Sequence, residues 1–299
     1  MKFLDDAATA RALPYEALVP AIAQAARDLR AGAIKAPERL MVPMGSAGFL
    51  LCMPAVAADI AVTKLVTVHP QNAAQGLPAI QGEVVVMDAA TGRRLLLLDG
   101  PTVTGRRTAA VTLLGIQTLL HRAPSTVLLI GTGTQAAAHA DALVEFFDVR
   151  NFEISSRSLA TAQAFCDALR ARHPQVSAGP AAAKVTAHVV IAATTSKTPV
   201  IPADLPASTL AIGIGAFTPA MAELPPALLQ SRRIVVDDIA GARHEAGDII
   251  QAGVDWSRVV DIAGCLDAVA TDATMPVFKT VGQAAWDLAA GRVALSALA

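Results

Sequence analysis

Hydrophobic and polar positions follow two rhythms along this chain. In the first part, short apolar segments at 48–53, 61–68, 83–88 and 94–98 are separated by turn residues, which predicts strands. Thr91-Gly92 between the last two predicts a hairpin. A helix is expected over about 15–31, opened by Pro14 and stopped by Gly32, and another over 103–120. From about 119 to 275 strand and helix patterns take turns, with strands expected at 126–130, 151–155, 188–192, 209–213, 234–236 and 258–261. That alternation predicts an α/β fold whose doubly wound parallel sheet is covered on both faces. Right-handed crossovers would line up the carboxyl ends of the strands along one crevice. Those ends are Gly131, Ser156, Ala193-Thr-Thr-Ser196, Gly213-Ile-Gly215 and Asp237-Asp238. The stretch 276–299 reads as a helix with no sheet partner, folding back on the first part. The predicted organisation is a discontinuous α+β domain, 1–118 with 276–299, interrupted by an α/β domain over 119–275.

The start of that second domain carries the most specific local pattern. The apolar run Thr126-Val-Leu-Leu-Ile130 meets Gly131-Thr-Gly133-Thr-Gln-Ala136, then a helix-like stretch to Phe147 and a second strand, Asn151-Phe-Glu-Ile-Ser-Ser156. In a G-x-G-x-x-A turn the first glycine permits the tight bend and the second lets the backbone approach a pyrophosphate. The alanine is small enough for the helix to pack on the sheet. The helix N-terminus then offers N–H groups and a positive dipole end to the anion. Strand, turn, helix and strand together predict a Rossmann-type dinucleotide site, whereas the motif alone fits any glycine-rich strand-to-helix turn. An acid at the end of the second strand would favour NAD by holding the ribose hydroxyls. Here that end is Ser155-Ser156-Arg157, and Glu153 lies earlier, where it is expected to point away. Arg157 with Ser155 or Ser156 suits a 2′-phosphate, so NADPH is the expected cofactor and NADH the alternative.

Composition narrows the class. A length of 299 residues is enough for roughly two domains of about 150 residues each. The chain is 54% hydrophobic, much of it alanine, but no apolar run reaches the ~18 residues that span a bilayer. The start, Met1-Lys-Phe-Leu-Asp-Asp6, lacks a signal-peptide pattern, so a cytoplasmic protein without a membrane partner is expected. Net charge is −1 with the signs mixed along the chain, which argues against a nucleic-acid partner. Cys52, Cys166 and Cys265 are far apart and are expected to be reduced, and no cluster has metal-ligand spacing.

Cationic residues in apolar surroundings supply candidate chemistry in the first domain. Strand alternation in Ala61-Val-Thr-Lys-Leu-Val-Thr-Val68 places Val62, Lys64 and Val66 on one face, and a lysine on an inner face needs an anionic partner. Arg39 follows Pro37, and Arg107 is expected near a helix start, where it opposes the helix dipole unless an anion compensates it. Each alone fits a surface or salt-bridge residue; together they suit a substrate carboxylate, which guanidinium grips through two bonds. His69-Pro-Gln-Asn72 follows the lysine strand and offers His69 and Asn72 as polar pocket groups or as an exposed turn. His139 is expected to be structural, and His244 sits near a strand end without an assigned role.

These elements, in this order, resemble the ornithine cyclodeaminase/μ-crystallin family over nearly the whole chain. The matching residues are Pro37-Glu-Arg39, Lys64 with His69-Pro-Gln-Asn72, Arg107-Thr-Ala-Ala110, Gly131-Thr-Gly-Thr-Gln-Ala-Ala-Ala-His139, Ser156-Arg157-Ser158 and Ala193-Thr-Thr-Ser196. Pro219, Glu223-Leu224, Glu245-Ala-Gly-Asp248, Val277-Phe-Lys-Thr-Val-Gly282 and Asp287 continue the series. The resemblance implies a Rossmann domain inserted into a catalytic domain that also forms a homodimer. It implies substrate-pocket roles for Arg39, Lys64 and Arg107, and cofactor contacts for Gly131, Gly133, Thr134, Gln135, Ser156 and Arg157; Thr194, Thr195 and Ser196 join them at a strand end. Cyclodeaminases of the family carry an aspartate where Phe217 stands here. An apolar ring cannot hold an ammonium proton, so the resemblance points to the ketimine reductases. Those reduce 1-pyrroline-2-carboxylate to proline and 1-piperideine-2-carboxylate to pipecolate, and a small cyclic imino acid is the expected partner. Lys64 is the candidate proton donor, directly or through a water, with a purely electrostatic lysine as the rival role. Ornithine cyclodeamination, amino-acid oxidation and a μ-crystallin-like ligand binder are the alternative functions.

Overall fold

The computed structural model describes residues 1–45, 48–267 and 274–298. Its contacts divide the chain into two compact units, Met1–Ala110 with Gln283–Ala299, and Val111–Gly282.

Among the described residues, the first unit holds the strands β1 (Lys2–Leu4), β2 (Leu40–Met44), β3 (Gly48–Val56), β4 (Ile60–Val68), β5 (Ile80–Asp88) and β6 (Arg94–Asp99). They form one sheet in the order β1-β6-β5-β4-β3-β2. β2 to β6 are an antiparallel meander, and β1 joins β6 in parallel. The hairpin expected at Thr91-Gly92 joins β5 to β6. β4 is central: Lys64 stands opposite Met53 of β3 and Val84 of β5. Val62, Lys64 and Val66 are buried and Leu65 is exposed, which is the alternation expected of a strand with one covered face. Three helices accompany this part of the chain: α1 (Asp6–Arg11), α2 (Tyr15–Arg30) and α3 (Gly100–Leu120), inside which the division between the units falls. α2 buries Leu18, Val19, Ile22, Ala25 and Ala26, one apolar stripe at helical spacing.

The second unit holds β7 (Thr126–Ile130), β8 (Asn151–Ser155), β9 (Ser177–Pro180), β10 (Val189–Ala192), β11 (Leu210–Gly213), β12 (Ile234–Val236), β13 (Val259–Asp261) and β14 (Val277–Lys279). The sheet order is β13-β12-β14-β11-β10-β7-β8-β9, and every pair is parallel. The helices are α4 (Thr134–Phe147), α5 (Leu159–Arg172), α6 (Pro226–Ser231), α7 (Ile239–Glu245) and α8 (Gly247–Gln251). From β7 the chain runs outward one way through β8 and β9, then returns to β10 on the other side. The gap between β7 and β10 is therefore the switch point of the sheet, where ligands of such folds bind. The chain closes with α9 (Ala284–Ser296), which belongs to the first unit and packs on β4, β3 and α2. No described helix is long and apolar enough to cross a membrane.

Four strands depart from the expectation. β14 overturns the helix expected throughout 276–299: Val277–Lys279 completes the sheet between β11 and β12, and the helix starts only at Ala284. So short a strand leaves no period to read, and it forms because both neighbours supply its hydrogen bonds. β1 is as short. β2 and β9, at which no strand was expected, are edge strands that carry Pro43 and Pro180, a residue tolerated where no partner needs the missing N–H.

Candidate active site

The crevice at the switch point begins with Gly131, whose φ of +111° only glycine adopts without strain. A Cβ there would lie 2.5 Å from the Ala193 carbonyl oxygen. Gly131 N–H donates to the Ser155 carbonyl at 2.8 Å, tying the turn to the end of β8. Gly133 is the N-cap of α4, supplies no side-chain cap, and its Cα faces open space. The first-turn amides of α4 therefore have room for an anion. Ala136 is fully buried under the helix, as its size requires.

A cavity of about 710 Å³ opens over this turn. Gly131, Gly133, Ser156, Arg157, Thr194, Thr195 and Ser196 line it, together with Thr132, Ser155 and Thr161. Thr134 and Gln135 lie on the first turn of α4 and do not line it. Thr161 and Thr132 were not singled out in the sequence; the signal for Thr161 is Ser158, the N-cap whose hydroxyl accepts from the Thr161 N–H at 3.2 Å. Arg157 is exposed and forms no ion pair among the described residues. Glu153 accepts from the Thr186 hydroxyl at 3.3 Å and stays out of the cavity. His139, inside α4, is a satisfied core histidine. Its Nδ1 meets the Gln135 carbonyl at 2.7 Å and its Nε2 the Thr112 hydroxyl at 2.9 Å. A carbonyl only accepts, so Nδ1 carries the proton and Nε2 accepts from Thr112. Burial lowers its pKa to about 4, which keeps it neutral. His244 is exposed on α7 and does not line the cavity.

The first unit gathers the predicted cations around one acid. Asp287 on α9 is fully buried and stands 3.0 and 3.2 Å from Lys64 Nζ through its two carboxylate oxygens. Arg107 Nε is 3.4 Å from Asp287 Oδ1. Lys64 and Arg107 are 2% and 6% exposed, so the row lies in a low-dielectric interior where each charge acts strongly on its neighbours. Desolvation dominates at Lys64 and lowers its pKa to about 8; Asp287 opposes this, and Arg107 and then Arg39 push it further down. Arg39 is half-buried and close enough to act on Lys64 electrostatically. Arg107 corrects the sequence reading in one respect. α3 begins at Gly100, so Arg107 lies beyond the first turn, where the helix dipole has faded, and the anion that meets it is Asp287.

His69 and Asn72 line a different cavity of the same unit, about 310 Å³ in volume, which Lys64 and Arg107 do not reach. The Asn72 amide donates to the Pro78 carbonyl at 2.9 Å and so holds its own loop. Phe217 is half-buried after β11. The three cysteines are free thiols, and no metal-binding cluster occurs among the described residues.

Comparison with known proteins places this geometry in context. The family model described as "Ornithine cyclodeaminase/mu-crystallin family" matches residues 3–296. The Delta(1)-pyrroline-2-carboxylate reductase 1 of Burkholderia multivorans is 49% identical over 99% of this chain and 95% of its own length. The Delta(1)-pyrroline-2-carboxylate/Delta(1)-piperideine-2-carboxylate reductase of Azospirillum brasilense matches with the same identity and the same coverage of both chains. An archaeal alanine dehydrogenase dimer solved with bound NAD superposes with a TM-score of 0.84 at 27% identity, covering 97% of this chain and 93% of that one. Matched by the family model over residues 3–296 and 49% identical to a relative over 99% of its length, this chain belongs to the ornithine cyclodeaminase/mu-crystallin family.

Proposed function

We propose that this protein is an NADPH-dependent reductase of cyclic imino acids, converting 1-pyrroline-2-carboxylate to proline and 1-piperideine-2-carboxylate to pipecolate. The observation that carries the reading is the buried row Lys64–Asp287–Arg107, in which a lysine lowered to about 8 stands beside a guanidinium. The reductase names of relatives 49% identical over 99% of the chain support the same substrate class.

A nicotinamide dinucleotide held at the glycine turn would supply the hydride for the imine carbon. The chain's own residues do the rest. Gly131, Gly133, Thr134 and Gln135 offer the turn and helix amides to the phosphates. Ser156 and Arg157 hold the 2′-phosphate, and Thr194, Thr195 and Ser196 form the opposite wall. Arg107 and Arg39 grip the substrate carboxylate, and His69 and Asn72, which line a separate cavity, take no part in that grip. Lys64 gives a proton to the ring nitrogen, directly or through a water, because the protonated imine is the better hydride acceptor; a group with a pKa near the working pH is suited to that transfer. A homodimer is part of the proposal: β2 is an edge strand with Leu40 60%, Met41 43%, Val42 42% and Met44 38% exposed, an apolar edge that pairing with a second copy would cover.

The test is oxidation of NADPH and NADH with the five- and six-membered imino acids, run beside ornithine with NAD and a measurement of ammonia. Turnover of the imines, faster with NADPH, and no ammonia are expected. Failure to oxidise either nucleotide with any imine overturns the reading. Arg157→Ala is expected to raise KM for NADPH about ten- to a hundredfold, the loss of one charge-assisted contact, while KM for NADH stays within twofold. Equal effects on both nucleotides would remove Arg157 from the 2′-phosphate.

A further inference from the structure

Glu223 is fully buried, and the parallel sheet leaves it at the carboxyl ends of β10 and β11. Its carboxylate accepts three backbone N–H groups: Thr194 at 2.6 Å through one oxygen, and Gly215 at 2.7 Å and Ala216 at 3.2 Å through the other. Burying a carboxylate is costly, and such a group persists only when its lone pairs are filled. Burial pushes its pKa up, while Lys279 and the amides of Thr194 and Gly215 act against that. A second buried acid fixes the backbone that carries it. Asp248 accepts from the Glu223 and Leu224 amides and pairs with Lys279 of β14 at 3.0 Å.

The two loops Glu223 joins are in direct contact. A Cβ on Gly215 would lie 2.0 Å from the Thr194 carbonyl oxygen and 2.6 Å from Glu223 Oε1. On its other side the Ala193–Thr194 backbone abuts the phosphate turn, since a Cβ on Gly131 would meet the Ala193 carbonyl. The segment is thus wedged between two obligatory glycines, and the Thr194 amide that could have faced the crevice turns inward to Glu223.

We infer that Glu223 is a positioning residue for the nucleotide: by clamping the loops after β10 and β11 it sets the wall opposite the glycine turn and so the width of the crevice. The inference rests on the reading of that crevice as the dinucleotide site. It assigns to Glu223 no contact with the ligand and no role toward the imino acid, whose proposed anchors lie in the other unit.

The experiment is a fluorescence titration of the folded protein with NADPH, with steady-state kinetics and melting curves, for the wild type, Glu223→Gln and Gly215→Ala. Glutamine keeps the size but turns an amide N–H₂ toward backbone donors. Alanine at 215 presses on Thr194 without removing a buried charge. Both variants are expected to weaken NADPH binding at least tenfold, while KM for the imino acid at saturating NADPH stays within twofold. If Glu223→Gln does not fold, Gly215→Ala decides, and unchanged NADPH affinity in it overturns the inference. Unchanged affinity in a folded Glu223→Gln, or an imino-acid KM that rises as much as that of NADPH, does the same. A wild type that binds no dinucleotide overturns the underlying reading as well, and is told apart by the first titration.

Discussion

Replacing Lys64 by methionine is expected to lower kcat for the cyclic imine by roughly two to four orders of magnitude, the range that a positioned general acid supplies. Methionine keeps the unbranched stem of the side chain, one atom shorter, and its packing on β4 while removing the proton. Asp287 still faces Arg107 at 3.4 Å, so the buried carboxylate is not abandoned, and the variant should remain folded by its melting curve. The pH profile separates the proton donor from a merely electrostatic lysine. The Lys64 pKa, lowered to about 8, lies within a measurable range. For a proton donor the active form is the protonated one, so under the proposed role wild-type kcat/KM should fall about tenfold per pH unit above that value. In Lys64→Met the descending limb should be absent and the deficit should shrink toward acid pH, where solvent protonates the imine itself. Lys64→Arg keeps the charge but does not release its proton in this range. An arginine variant with full activity and no limb would establish the electrostatic role and end the proton-donor assignment.

What the sequence made legible here depended on how local the cause was. The glycine turn is local: Gly131, Gly133 and Ala136 lie within one strand-turn-helix unit, and the structure lines the crevice with the first two while burying the third. The parallel sheet was legible for the same reason, because each βα repeat announces itself. Lys64 was half legible. Alternation placed it on the covered face of β4 and implied an acid beside it, but nothing in its neighbourhood says that the acid is Asp287, 223 residues along the chain. Asp287 is one polar residue in the otherwise apolar wall of α9, and only folding brings that helix onto β4. Glu223 was further out of reach. Its carboxylate accepts from backbone amides, which almost every residue possesses, so its role leaves no pairing signature in the sequence. β14 failed for a related reason: a strand so short has no period, and its partners β11 and β12 are distant in sequence.

Arg107→Ala should show two signatures that no general loss of structure would produce together. The first is a rise in KM for the imino acid of about 30-fold or more, because truncating one partner of a buried, hydrogen-bonded charge pair costs about 2–5 kcal/mol. kcat at saturating substrate should fall less, since the proposed anchor would grip a carboxylate that is present in ground and transition state alike. The second signature follows from the charge row. Arg107 is a cation near Lys64 and holds the lysine pKa down. Removing it leaves Asp287 paired with Lys64 alone, which favours the ammonium form and raises that pKa from about 8 toward the ordinary lysine value of about 10.4. Lys64 then stays protonated to higher pH, so the descending limb of kcat/KM must move to the alkaline side. Arg107→Lys should restore the limb to near its wild-type position, because the charge returns, but only part of the affinity, because an ammonium cannot make the two parallel bonds of a guanidinium. A KM that stays at the wild-type value in Arg107→Ala would remove the arginine from the carboxylate. A raised KM with an unmoved limb would leave it as the anchor but break its link to the lysine.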